Sequence, residues 1–553
     1  MLKKLNKYWP YIIIFGLSFM VAWPLLRTGY FSHQDDLQII RIFEMRKCFT
    51  DLQIPCRWVS DMGWGNGFPL FNFYGVSTYY FAAVLSYVFG FIGASKALFY
   101  ISLVAGSFGI YLLGKNLWGK WAGLAAAVLY MFAPYKALDV YVRGALAESF
   151  ALSIVPFVFY FGYKLITSDE NRKYGALFAL SVFVLMVTHN IMVIIFLPVL
   201  IVWLIYWLYL GKWKKIKDVV VPLVLGIGLS AFFILPAFLE KNLVQTESLL
   251  RFELDFRANY LKAGQLFVDR IWGYGTSIPG PEGGMNFQIG WPHWWLAIAT
   301  IPAILFTKAK KHIKVLVALL LAAFTLSIFM THNKSTFIWV NLPILKYFQF
   351  PWRFLSLSIF TAAMLGGFVV SAIKNKWQIY MSFLIIILSI AFNWNYFKPK
   401  TFYSIDDGQK LSGEMWEAQR KGALLDYLPK TALEPREAAP DSPLIKSGNA
   451  EITGFSNRSD SWEFTAKALD KSEVEVPVYY FPNWKVFVNG EAYPFSYENV
   501  LGRIAVTLDA GEYSVKGKFE NTFLRTFANT ITIVSLGGLL AFTLYGKNKK
   551  KPE

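Results

Sequence analysis

The sequence predicts a mainly α-helical, polytopic membrane protein of about 12 spans with a small β domain near its C-terminus. Three observations predict it. Of 553 residues, 55% are hydrophobic and only 16% charged, less charge than a soluble globule carries. Apolar runs of roughly 20 residues, each long enough to cross a hydrocarbon core, recur along most of the length. From Glu451 onward the pattern changes to short alternating stretches separated by turn signals.

The first apolar run, Tyr8–Leu26, is too long for a signal-peptide core and has no small-residue cleavage site before Arg27, so it reads as a retained span. Spans are expected near 9–27, 95–114, 120–136, 148–166, 174–190, 191–211, 218–239, 293–307, 314–331, 353–373, 377–395 and 525–545. The stretch Ser77–Gly93 is apolar but rich in aromatic residues, including Tyr79, Tyr80, Phe81, Tyr87, Phe89 and Phe91. If it crossed, the lysine clusters at 212–217, 308–314 and 547–551 would all lie outside. Lys and Arg in short loops favour the cytoplasmic side. Ser77–Gly93 is therefore expected to be an interfacial or re-entrant helix. Both termini are then inside a cytoplasmic (inner) membrane. The formal charge of +18 has the same origin and does not call for a nucleic-acid partner.

Three domains follow. Residues 1–395 form the transmembrane domain, with long outer loops at 27–95 and 240–291. Residues 396–521 hold a mixed linker and an extracytoplasmic β domain, and 522–553 hold the last span and a basic cytoplasmic tail. In the linker, Gly413–Leu428 reads as a helix. Trp484-Lys-Val-Phe-Val followed by Asn489-Gly490 is a hairpin signal. The region 450–520 is expected to be an antiparallel sandwich. Cys48 and Cys56 both fall in the first outer loop, where a disulfide and two free thiols are both open. The sequence contains no C-x-x-C, no H-E-x-x-H and no P-loop.

Chemistry-bearing residues gather at the outer ends of spans. Asp35 and Asp36 follow the first span, Arg57 lies in the first outer loop, and Arg143 and Glu148 open the fourth span. His189 breaks the hairpin between the fifth and sixth spans, and Arg353 opens the tenth. Charged groups this close to hydrocarbon are costly unless paired or hydrated. One by one they read as interfacial anchors. Together they describe one outward cavity. Carboxylates at Asp35, Asp36 or Glu148 suit a general base. Guanidinium groups at Arg57, Arg143 and Arg353, with His189 beside them, suit a bound phosphate. Arg143 and Glu148 also stand close enough to pair with each other. The histidines show no metal-ligand spacing.

Four stretches resemble bacterial membrane proteins described as 6-pyruvoyl-tetrahydropterin synthase-related, and their YfhO-like relatives. They are His33-Gln-Asp-Asp-Leu-Gln-Ile-Ile-Arg41, Gln53-Ile-Pro-Cys-Arg-Trp58, Tyr141-Val-Arg-Gly-Ala-Leu-Ala-Glu148 and Gln349-Phe-Pro-Trp-Arg353. Tyr480-Phe-Pro-Asn-Trp-Lys-Val-Phe-Val-Asn-Gly490 resembles the C-terminal β domain of the YfhO-like group. An acid just after the first span, with juxtamembrane helices in the first loop, is similar to the GT-C superfamily of membrane glycosyltransferases. That resemblance implies a polyprenyl-phosphate-linked sugar donor and a glycan, lipid or protein acceptor in the cell envelope. It implies that Asp35 or Asp36 acts as catalytic base or binds a divalent cation, Mg or Mn. Glu148 matches a second acid of that family. Two other functions remain open: a transporter or flippase of a lipid-linked glycan, and a non-catalytic envelope assembly factor.

Overall fold

The structure, a computed structural model, describes residues 2–278, 284–422 and 426–544. The basic tail at 547–551 lies outside the described residues. Among those described, eight helices are long and apolar enough to cross a membrane. Two further pairs, Lys120–Met131 with Pro134–Arg143 and Ile216–Leu229 with Ala231–Leu239, are bent by 41° and 64°. The first bend falls at Ala133, whose extended backbone (ψ 127°) is what a residue preceding proline prefers. Asn171–Thr188 and the shorter Trp291–Phe306 are helical where the sequence also expects spans. The protein is a multi-pass helical membrane protein.

Ser77–Gly93 does not stand apart from the next span. It continues into it as one helical run, Ser77–Trp118, of 42 residues. At 1.5 Å per residue that is about 63 Å, roughly twice the hydrocarbon thickness. The run breaks at Gly90, with φ 68° and ψ −179°. The backbone N–H groups freed at the break, on Phe91 and Ile92, donate to the Asp407 carboxylate at 2.7 and 2.8 Å. Asp407 belongs to the segment between the last two long helices, so the break lies where an extramembrane segment reaches it. Before the break, Phe81, Val84 and Val88 are exposed while Tyr79, Ala82 and Ala83 are buried. Both of these faces are apolar or aromatic, so the exposed one presents hydrophobic side chains outward.

The centre of the bundle is packed through small residues. Ala122 and Ala125–Ala127 are fully buried. A side chain at Gly367 would come within 3.0 Å of the Ala122 carbonyl oxygen. Close backbone approach of this kind is how membrane helices gain packing energy without a hydrophobic drive.

Two short strands fasten the first loop. β1 (Tyr30–Phe31) pairs antiparallel with β2 (Phe402–Tyr403), Tyr30 opposite Tyr403. The helix expected at Gly413–Leu428 is present over Gly413–Lys421; residues 423–425 lie outside the described residues. The C-terminal region contains β3 (Leu444–Ser447), β4 (Ala450–Asn457), β5 (Ser461–Ala468), β6 (Ser472–Tyr479), β7 (Trp484–Val488), β8 (Glu491–Ala492), β9 (Arg503–Leu508) and β10 (Gly511–Phe519). They form two antiparallel sheets, β4-β5-β10-β7-β8 and β3-β6-β9. Asn489 and Gly490 make the β7–β8 turn, both with positive φ (52° and 88°), as a type I′ hairpin requires. Along β5 buried and open residues alternate strictly, the period of a half-buried strand.

The two sheets share one apolar cluster, and Trp58 of the loop after the first helix is part of it. Trp58 meets Trp484 edge-on at 5.4 Å and lies 5.3 Å from Phe519. The loop that carries Trp58 is closed by a Cys48–Cys56 disulfide. The β domain therefore sits on the first loop as well as on its own tethers.

Candidate functional site

A polar cavity of about 550 Å³ opens between the first loop, the turn before Leu146–Thr167, the break at His189, and the segment 347–353. Asp35, Arg143, Glu148, His189 and Arg353 all line it. Three carboxylates (Asp35, Glu148, Asp426) and three guanidinium groups (Arg41, Arg143, Arg353) face it together.

The wall carrying Asp35 is built by backbone pairing. The N–H groups of Gln34 and Asp35 donate to the carbonyls of Val142 and Arg143, each at 2.9 Å. The partner segment turns through Gly144, whose φ is +65°. A Cβ there would lie 2.2 Å from Nδ1 of His33, so only glycine fits. The Asp35 carboxylate accepts from Arg41 at 2.8 Å and from Gln38 at 3.0 Å, both on Oδ2. Asp35 remains 31% exposed while Arg41 is 4% exposed.

The opposite wall is a buried ion cluster. Oε2 of Glu148 accepts from Arg143 at 3.0 Å and from Arg353 at 3.2 Å, and Oε1 accepts from the Tyr135 hydroxyl. Arg143 also pairs with Asp139, four residues earlier, and its guanidinium lies 4.4 Å over the Trp352 ring. Arg353 donates to the Phe348 carbonyl at 2.7 Å. Glu148 is thus fully engaged in holding two arginines. Its geometry suits a positioning group and not the second catalytic acid expected from the sequence. Nδ1 of His189 accepts from the Met192 N–H at 3.3 Å, capping Asn190–Leu210.

Two expected site residues lie elsewhere. Asp36, next to Asp35, points away along the turn and pairs with Lys410 at 2.6 Å. It does not line the cavity. Arg57 is buried below the β domain, donating to Asn72 at 2.9 Å, to the Phe232 carbonyl at 3.0 Å and to Asn529 at 2.9 Å. Burial and the neighbouring Arg525 push its pKa down to about 10. Asn72 in turn donates to Glu240 at 2.8 Å, which Arg525 of the last helix reaches at 3.0 Å. Arg57 belongs to a network that joins the first loop to the final span.

At Asp35 and Asp36, where a divalent cation was expected on one or the other, both side chains have protein partners. Each carboxylate is already held by a cation, Arg41 or Lys410. Among the described residues no three of His, Cys, Asp and Glu cluster as metal ligands.

Sequence reasoning missed Asp139, Tyr135, Arg41 as partner of Asp35, and Asp426. Asp139 had a usable signal: an acid inside an apolar run, four residues before an arginine. Asp426 had none. It comes from the mixed linker, and burial raises its pKa above the usual carboxylate value.

The fold and the cavity define a multi-pass helical membrane protein whose polar site is lined by loop segments, helix ends and the linker that leads to the β domain. Residues 71–252 match the family model of the 6-pyruvoyl-tetrahydropterin synthase related domain, a membrane protein. That stretch contains Arg143, Glu148 and His189 but neither Asp35 nor Arg353. An uncharacterised protein of Lactococcus lactis subsp. cremoris (strain MG1363) is 25% identical over 251 residues, 42% of this chain and 40% of that protein. The arabinofuranosyltransferase AftD from Mycobacteria aligns over 73% of this chain and 28% of its own, with 14% identity and a TM-score of 0.47. The Archaeoglobus fulgidus oligosaccharyltransferase aligns over 77% of this chain and 57% of its own, with 11% identity and a TM-score of 0.40. The chain thus spans well under half the length of its Lactococcus relative and of AftD.

Proposed function

We propose that this protein is a membrane glycosyltransferase. It moves a sugar from a polyprenyl-phosphate-linked donor to a cell-envelope acceptor, a glycan, lipid or protein, on the outer face of the cytoplasmic membrane. Both termini are inside and the β domain is outside. One observation carries the reading: Asp35, Arg143 and Arg353, far apart in sequence, meet at a single polar cavity.

In this reading an acceptor hydroxyl attacks the anomeric carbon of the donor sugar. The bond from that carbon to the phosphate oxygen breaks, and polyprenyl phosphate leaves with the electron pair. Asp35 takes the hydroxyl proton as general base. Arg41 and Gln38 bind one of its oxygens and fix the carboxylate in place. Arg143 and Arg353, aligned by Glu148, stabilise the charge that develops on the leaving phosphate. Asp426 and Tyr427 bring the linker of the β domain to the rim, where an acceptor would enter.

The test uses purified protein and lipid-linked sugars extracted from the native membrane. Release of polyprenyl phosphate is followed by mass spectrometry. Wild type releases it, and Asp35→Asn is slower by about 10²-fold or more. Equal release by the two proteins rejects the role of Asp35.

A further inference from the structure

A second cavity, of about 390 Å³, lies where the first membrane helix and the helix Asn375–Asn393 end side by side. Its floor is apolar and aromatic, with Met20, Trp23, Phe397 and Phe402. Its polar rim carries Arg27, Lys398 and Lys400, and no carboxylate is among its lining residues. This is unlike the main cavity, where acids and arginines balance.

Two tryptophans fix its depth. Trp23 and Trp394 are large exposed rings, 64% and 49% accessible, and indoles at the ends of spans sit at the headgroup level of a bilayer. Trp394 donates to the Met20 carbonyl at 3.0 Å, joining the two helix ends. Arg27, Lys398 and Lys400 are all exposed. The Arg27 guanidinium stacks 4.5 Å over Phe402, and Lys398 donates to Asn395 at 2.8 Å. Cations on a headgroup-level ledge, over an apolar floor continuous with exposed helix faces, complement a lipid that carries a phosphate.

We propose that this cavity binds the phosphate headgroup of an anionic membrane phospholipid, with its acyl chains running down the exposed faces of the two helices. The site is separate from the main cavity but connected to it. Phe402 is in β2, which pairs with β1, and the Ser32 N–H donates to the Thr401 carbonyl at 3.0 Å. Ser32 is three residues from Asp35. A lipid held by Arg27, Lys398 and Lys400 would steady the strand pair that leads into the Asp35 turn.

The experiment measures thermal unfolding and lipid retention of the full-length protein in a neutral detergent. The probes are phosphatidylglycerol, phosphatidylcholine, a polyprenyl phosphate and inorganic phosphate. Phosphatidylglycerol is expected to raise the melting temperature and to remain bound in native mass spectra, more strongly than the other three. Neutralising the rim (Arg27→Gln, Lys398→Gln, Lys400→Gln) should weaken retention by roughly fivefold per cation. Asp35→Asn should leave the lipid effect intact, which separates this site from the proposed chemistry. If the triple variant does not fold, Lys400→Gln alone supplies the comparison. Undiminished phosphatidylglycerol retention in the folded rim variant overturns the proposal. So does an equal effect of phosphatidylcholine or of inorganic phosphate, or a preference for the polyprenyl phosphate.

Discussion

The Asp35 backbone N–H donates to the Arg143 carbonyl across 2.9 Å. The hydrogen bond sets the position of an acid from the first loop against an arginine more than a hundred residues later. The acid and the arginine cluster on Glu148 thereby become two walls of one cavity. Asp35 owes its place to backbone pairing, and its side chain is left to Arg41, Gln38 and the cavity.

The turn that supplies this pairing admits only glycine. Gly144→Ala meets both a positive φ and the His33 ring. It should lower stability by about 1–3 kcal/mol, the scale of enforced backbone strain, measured by thermal unfolding in detergent. Adding His33→Ala removes the ring from the clash but leaves a 2.9 Å approach to the Cβ of residue 33, and leaves the strain. The double variant should therefore be more stable than the sum of the two single effects.

Glu240 is the carboxylate shared through Asn72 and Arg525 by the first loop and the last helix. Glu240→Gln leaves buried Arg525, and Arg57 near it, without their counter-charge. Removing one partner of a buried pair costs about 3–5 kcal/mol. Thermal unfolding should show a marked loss of stability. A change within error would mean that the network contributes nothing to anchoring the last span.

Asp426 supplies a pH dependence. Burial holds its carboxyl above the usual value in the folded protein. As pH rises past the ordinary aspartate value, the unfolded chain loses its proton first, so the folded state binds more protons. The contribution of this group to stability therefore falls with rising pH across that window, and is flat once the folded carboxyl has also ionised. Asp426→Asn should remove this decline, seen by comparing melting temperatures of the two proteins from about pH 4 to pH 7. An identical pH dependence in both would show that Asp426 is not buried in its protonated form.

The proposed orientation is tested with single cysteines. Cys48 and Cys56 are tied in a disulfide and do not compete for reagent. Lys214→Cys, in the loop after Asn190–Leu210, should stay unlabelled by an impermeant maleimide in intact cells. Glu498→Cys, exposed on the β domain, should be labelled. The reverse pattern would invert the topology.

Much of this was legible in the sequence because it depends on local composition. Runs of apolar residues specify spans, and Asn489-Gly490 specifies a turn, wherever they occur. The break at Gly90 was less legible. A glycine inside an apolar run looks ordinary until Asp407, over 300 residues later, takes the two N–H groups freed at the break. At the site, Asp35, Arg143, Glu148, His189 and Arg353 were found because each is a polar residue at a span end. Arg57 was added to them from the first loop and lies elsewhere. Span ends face several partners, and it was Asn72, Asn529 and the Phe232 carbonyl that took its guanidinium. Asp36 was separated from Asp35 by a turn that presents neighbouring side chains to different partners. Asp426 left no trace because an acid in a polar linker is ordinary until the linker folds over a cavity.

The central claim is that Asp35 works as the base in sugar transfer at the cell envelope. The most direct measurement compares envelope glycans, by mass spectrometry, in cells that lack the native protein and carry either the wild type or Asp35→Asn. Both proteins must be present in the membrane at equal amounts. If Asp35 is the base, a sugar substituent is present with wild type and absent with Asp35→Asn. Identical glycan profiles in the two strains would contradict it.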